Sequence, residues 1–201
     1  MATALVRWSP RLQPRWKARN ANVLAGFFHA PIPIWSQATR NSRSFHVGPV
    51  VRKGDVVTDF ELPDETGAPR RLSGLLADGP VVLFFYPAAM SLGCTVESCH
   101  FRDLIGEFKA VGAQPVGISA DRVERQRNFA EKHSLGYPLL SDSDQVVARH
   151  FGVRGWIPMM PLRRVTFVID TDLTVLEVIS SELVMTVHAD RALEVLKKRQ
   201  R

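Results

Sequence analysis

Cys94 and Cys99 are the two thiols among 201 residues, five positions apart and just beyond an apolar run, Val81 to Tyr86. Cysteine acts as a nucleophile or a metal ligand only as its anion. The pair therefore offers redox chemistry, metal binding or plain packing. Zinc would have at most Cys94, Cys99 and His100, at a spacing unlike the usual C-x2–4-C pairs and with no second cysteine pair. Packing as a small apolar side chain is the ordinary fate of a buried cysteine. Redox chemistry requires something that ionises a thiol.

A helix start can supply it. The spacing of Phe101, Leu104, Ile105 and Phe108 predicts a helix over Thr95 to Val111, with Gly112 as its left-handed cap. Cys94 then lies over the unpaired N–H groups and positive dipole end of that helix, which favour thiolate over thiol. Along the same helix Cys99 is about 7.5 Å further on and rotated by about 140°. A disulfide needs Cα atoms within roughly 7 Å and converging Cβ vectors. An intact helix prevents the bond, so forming it requires the first turns to unwind.

The elements that must hold these residues alternate. Val57 to Leu62 reads as a short strand, with a turn at Pro63 to Gly67 and a return over Arg70 to Leu72. Val81 to Tyr86 reads as a strand buried on both faces. Pro115 to Ser119 is a further strand, and Val123 to His133 and Ser143 to Phe151 are helices. Val165 to Asp170 and Val175 to Ser180 form a hairpin across Thr171 to Thr174, before a last helix from His188 to Lys198. This order predicts an α/β fold whose mixed central sheet has a parallel centre, an antiparallel hairpin and flanking helices.

Charge divides the chain. Residues 1–54 contain nine Lys or Arg and no Asp or Glu, with three of the four tryptophans; beyond them 17 basic residues face all 20 acidic ones. The basic balance belongs to the first quarter, so nucleic-acid binding by the whole chain is not expected. Residues 1–52 read as a basic, disordered extension. It is either a transit-type peptide, which would place the protein in an organelle matrix, or a start placed too far upstream or functionless tail on a cytoplasmic protein. A surface that binds membrane or nucleic acid through Arg and Trp is a third reading. Residues 53–201 form the folded domain. No stretch approaches the roughly 20 apolar residues that span a bilayer, and two cysteines make no secreted disulfide framework.

The lead-in to the first thiol is specific. Pro87, Ser91 and Cys94 make the pattern P-x-x-x-[TS]-x-x-C, and the chain here resembles the peroxiredoxins. The extra cysteine at +5 resembles the peroxiredoxin Q, or bacterioferritin comigratory protein, type. The likeness runs from Lys53 onward through PDETG, FFYPAAM, GIS, LLSDSDQVV, FGVRG and RRVTFVIDTD.

The resemblance implies a thioredoxin-like fold and thiol-dependent reduction of hydrogen peroxide and organic hydroperoxides, with no metal or organic cofactor. It makes Cys94 the peroxidatic residue. Cys99 becomes the resolving residue, through an intrachain disulfide that thioredoxin or a similar dithiol protein reduces. A resolving thiol in the same chain suits a monomer. The family's active-site arginine maps onto Arg164, with Arg163 beside it; strand alternation sends the two to opposite faces, so only one reaches the sulfur. Ser91 would exchange hydrogen bonds with the peroxide, and Pro87, with no N–H, would shield the thiolate. Two rivals remain: a peroxide sensor that passes its disulfide to a client protein, and a binding module with inert cysteines.

Other residues receive plainer readings. His133, His150 and His188 are expected to be solvated or capping groups, Glu97 to complement the helix dipole or else to influence Cys94, and His100 at most to tune Cys99. Trp156 to Leu162 reads as an apolar loop that packs, walls the site or offers a docking face to a partner. Ser91 replaces the family's more frequent threonine, and the turn Thr171 to Thr174 lacks its usual glycine.

Overall fold

A computed structural model of the chain describes residues 51–157 and 160–200. Five strands make the central sheet, in the order β5-β4-β3-β8-β9. β3 (Val81–Phe85), β4 (Gln114–Ser119) and β5 (Leu139–Ser141) run parallel, while β8 (Val165–Ile169) lies antiparallel to β3 and pairs with β9 (Val175–Ser180). This is the mixed sheet that the alternation of elements predicts. Helices α2 (Leu92–Asp103), α3 (Ile105–Ala110), α4 (Val123–His133), α5 (Val146–Phe151) and α6 (Val187–Arg199) flank it. No described helix is long and apolar enough to cross a membrane.

β3 is buried along its whole length, and its side chains feed two cores. Val81, Leu83 and Phe85 join Phe151 and Phe167 on one face; Val82, Phe84 and Tyr86 join Cys94, Phe101, Phe129 and Leu193 on the other. The period of two in a pleated strand produces this split. Phe101 anchors α2 on the second face, stacked on Phe84 with centroids 4.2 Å apart. Such an aromatic contributes about 1.5–3 kcal/mol by burial alone.

Several elements depart from the sequence reading. The predicted helix over Thr95 to Val111 starts earlier, at Leu92, and breaks at Leu104 into α2 and α3. Gly106, a poor helix former, marks the weak point. α1 (Leu72–Leu76) and β5 are too short to show a period and went unpredicted. The antiparallel pair β1 (Glu61–Pro63) and β2 (Pro69–Arg71) is shorter than the strand expected from Val57. Its turn is built on buried Asp64, whose Oδ1 accepts the N–H groups of Thr66 and Ala68 while Oδ2 accepts Arg70 Nε. The apolar loop expected over Trp156 to Leu162 is instead a pair of strands, β6 (Arg154–Ile157) and β7 (Met160–Leu162). Pro158 and Met159 lie outside the described residues. In the glycine-free turn after β8, Leu173 takes the left-handed conformation, φ 69°, and packs on the core.

Candidate active site

The loop from Pro87 to Ser91 joins β3 to α2, and it is clamped from outside. Asp121 Oδ2 accepts the Ala89 N–H at 2.7 Å, and Arg125 Nη2 donates to the Ala89 carbonyl at 2.9 Å. Asp121 is itself held by the Ser119 hydroxyl and by Arg125 Nε. A network of Tyr86, Gln126 and Ser119 ties this clamp to the second core. Met90 then adopts φ 69°, an uncommon value for a residue with a side chain, and Ser91 turns the chain into α2 as its N-cap. Pro87 is buried and Ser91 exposed, with Ser91 Oγ donating to the Ala88 carbonyl at 3.0 Å.

Cys94 is the third residue of α2, where the backbone N–H has no acceptor one turn back. Its side chain is fully buried, yet the sulfur does not face hydrocarbon alone. Arg164 Nη2 lies 3.4 Å from Sγ. The same guanidinium donates through Nη1 to Glu97 Oε2, one turn further along α2. Gly93 makes room for this approach: a Cβ there would stand 3.3 Å from Arg164 Nη2 and 3.2 Å from Met185 Cε. Arg164 directly precedes β8, and strand parity carries Arg164, Thr166 and Val168 to the face covered by α2 and α6. Its backbone N–H donates to Glu182 Oε1, at 3.2 Å, in the segment after β9.

Residues 53–178 match the family described as AhpC/TSA. A putative peroxiredoxin of Mycobacterium tuberculosis is 62% identical over 149 residues, covering 73% of this chain and 97% of that protein. Peroxiredoxin Bcp of Escherichia coli is 39% identical over 127 residues, covering 61% of this chain and 81% of Bcp. Among solved structures, peroxidoxin BcpB from M. tuberculosis superposes with a TM-score of 0.71 at 60% identity, covering 74% of this chain and 97% of BcpB. This chain is a peroxiredoxin of the AhpC/TSA family.

The peroxiredoxin's site contains two residues, Glu97 and His188, whose burial the sequence reading did not show. Glu97 is not a surface partner of the helix dipole but fully buried beneath the sulfur. Burial pushes its carboxyl up to about 8, against the pull of Arg164. The available signal was its spacing: three residues beyond Cys94, on the same helix face. His188, expected to be solvated or capping, is also fully buried. Its Nε2–H donates to the Ser181 carbonyl at 2.9 Å, so Nδ1 accepts the Thr166 hydroxyl at 2.9 Å. Burial lowers it to about 4, with the Ser181 carbonyl opposing and Arg164 adding to the shift.

The remaining candidates lie apart from the sulfur of Cys94. Arg163 is half-buried, and its N–H donates to the Val153 carbonyl. Cys99 points toward α4, where its sulfur is 4.0 Å from His133 Nδ1, and both cysteines are free thiols. His100 turns away to Asp190 at 2.8 Å, and exposed His150 meets Thr58. The side chains of Trp156 and Met160 lie outside the described residues.

Proposed function

We propose that Cys94 is the peroxidatic thiol of this peroxidase and that Cys99 resolves it. The observation that carries this reading is the guanidinium of Arg164 at 3.4 Å from the Cys94 sulfur, at the start of a helix. The thiolate attacks one oxygen of a hydroperoxide and the O–O bond breaks. Negative charge moves from sulfur to the departing oxygen. Arg164 stays protonated throughout and supplies a fixed, charge-assisted donor where that charge grows. The Cys94 N–H, and the Ser91 hydroxyl once it turns from the Ala88 carbonyl, complete the donor set, and Pro87 shields the sulfur without offering a competing donor. Cys94 emerges as a sulfenic acid, and the departing oxygen takes up one proton, equivalent to the one the thiol released, to leave as water or an alcohol.

Resolution requires Cys99 to reach that sulfenic acid. Two features support unwinding of the helix start between the cysteines. Leu92 and Val96 are exposed, so releasing them loses little apolar burial. Ser98 Oγ and Glu97 Oε1 are buried without a hydrogen-bond partner. Each such group costs about 1–3 kcal/mol in the folded helix, and water relieves it on unwinding. The disulfide formed within the chain is then reduced by thioredoxin or a similar dithiol protein, and the enzyme works as a monomer. The extension that precedes the family match lies outside the catalytic domain only up to residue 50, since Val51 packs in the first core and the Arg52 N–H donates to Asp55 Oδ2.

The test is a coupled assay with thioredoxin, its reductase and NADPH. Cys94→Ser should abolish peroxide turnover, and full turnover by that variant would refute the assignment. Cys99→Ser should give a single turnover and no recycling. Unchanged recycling would place the resolving thiol elsewhere.

A further inference from the structure

We infer that His133 is the general base that ionises the resolving thiol. This deepens the proposed function and rests on Cys99 being the residue that forms the disulfide.

The two side chains come from segments 34 residues apart, and the fold fixes them against each other. Cys99 Sγ lies 4.0 Å from His133 Nδ1, within reach of a sulfur hydrogen bond. The contact is supported on both sides. Arg102, one turn along α2 from Cys99, donates through Nη1 to the His133 carbonyl at 2.8 Å. Tyr137 donates its hydroxyl to the Ser98 carbonyl at 2.8 Å. The imidazole ring stands edge-on to Phe129, centroids 5.2 Å apart at 73°. Three consecutive points of α2 (Ser98, Cys99 and Arg102) therefore dock on the end of α4 and the chain that follows it.

The charged and titratable groups around the ring suit a base. Burial, then Lys132 on its own helix and Arg102 from α2, hold His133 below its ordinary range. The ring is therefore neutral near pH 7 and keeps a lone pair for a proton. Tyr137, facing the same thiol, is held protonated by burial and remains a donor. Arg102 places a cation one turn from the sulfur, where a thiolate can form.

The step balances without an outside reagent. The Cys99 thiol gives its proton to His133 Nδ1. Its sulfur lone pair attacks the Cys94 sulfur of the sulfenic acid once the helix start unwinds. The S–S bond forms, the S–O bond breaks, and the departing hydroxide takes the proton from the imidazolium to leave as water. The Cys99 sulfur is oxidised and the Cys94 sulfur reduced.

A purely structural role for His133 predicts the opposite sign. A contact that merely latched Cys99 in the folded helix would delay unwinding, so removing it would speed disulfide formation. Removing a base slows it. The experiment mixes the reduced full chain with one equivalent of hydrogen peroxide, quenches with acid and separates sulfenic acid from disulfide by mass. It is run on wild type, His133→Phe and His133→Asn from pH 6 to about 9.5. Both variants are expected to form disulfide at least tenfold more slowly at pH 6–7. The deficit should shrink toward pH 9.5, where hydroxide in solution takes over the task of the base. Faster disulfide formation in either variant, or a rate equal to wild type across the range, overturns the inference. Cys99→Ser, run in parallel, separates the two levels. If that variant is still recycled, the resolving role of Cys99 fails and the role of His133 falls with it. If Cys99 is required and the His133 variants are not slowed, only the present inference fails.

Discussion

Replacing Glu97 with glutamine should remove a pH-dependent weakness from the fold. Glu97 is buried beneath the thiol, and burial holds its carboxyl at about 8, against 4.5 for a free glutamate. Between those values the unfolded chain has released the proton and the folded chain has kept it. The folded state then binds more protons, so stability falls as pH rises. Each pH unit costs about 1.4 kcal/mol, or about 5 kcal/mol across the window from 4.5 to about 8, of which about 3 falls between pH 5 and 8. His188 works in the opposite sense. It is lowered to about 4 from 6.5, so the unfolded chain binds the extra proton in that interval and stability rises with pH there. The two slopes oppose each other below pH 6.5, and Glu97 acts alone above it. The assay is urea unfolding at half-unit steps from pH 5 to 8, in a Cys94→Ser background that removes the reactive sulfur. Glutamine keeps the shape and the acceptor for Arg164 but carries no proton to lose. The parent should lose about 3 kcal/mol relative to Glu97→Gln over that range. Parallel curves, or a parent that gains stability relative to the variant as pH rises, would refute the buried neutral carboxyl.

Three further outcomes follow from the geometry. Arg164→Ala should slow peroxide attack by about 10²–10³-fold in stopped-flow measurements, the usual loss for one preorganised donor, while Arg163→Ala should change it little; the reverse ranking would contradict the 3.4 Å contact with Cys94. Ser98→Ala removes a buried hydroxyl with no partner, so it should stabilise the reduced fold by about 1 kcal/mol and slow disulfide formation by about fivefold in acid-quench kinetics. A faster disulfide step would disprove the link between that hydroxyl and unwinding. Asp121→Ala leaves the Ala89 N–H and the Ser119 hydroxyl without their acceptor, which should cost about 2–3 kcal/mol in denaturant unfolding and lower the rate of peroxide attack as the loop before Cys94 loosens.

Much of this was legible in the sequence because it is locally encoded. The thiol at a helix start, the strand buried on both faces and the closing hairpin each follow from periodicity and punctuation within a dozen residues. Short elements such as α1 and β5 were not, since three to five residues cannot display a period. The burial of Glu97 was not legible because position alone does not tell whether a carboxylate in a first helical turn meets water or a buried guanidinium.

The sequence by itself determined which sulfur sits at the helix start and that an intact helix keeps it from its neighbour, since both follow from spacing along one element. Only the tertiary structure decided which of two adjacent arginines reaches the sulfur, since that depends on the parity of β8 against α2. Only the packing of α2 on α4 sets His133 beside Cys99, 34 residues away. Chain-local geometry is written in residue order, whereas contacts between elements arise from how their faces meet when apolar surface is buried.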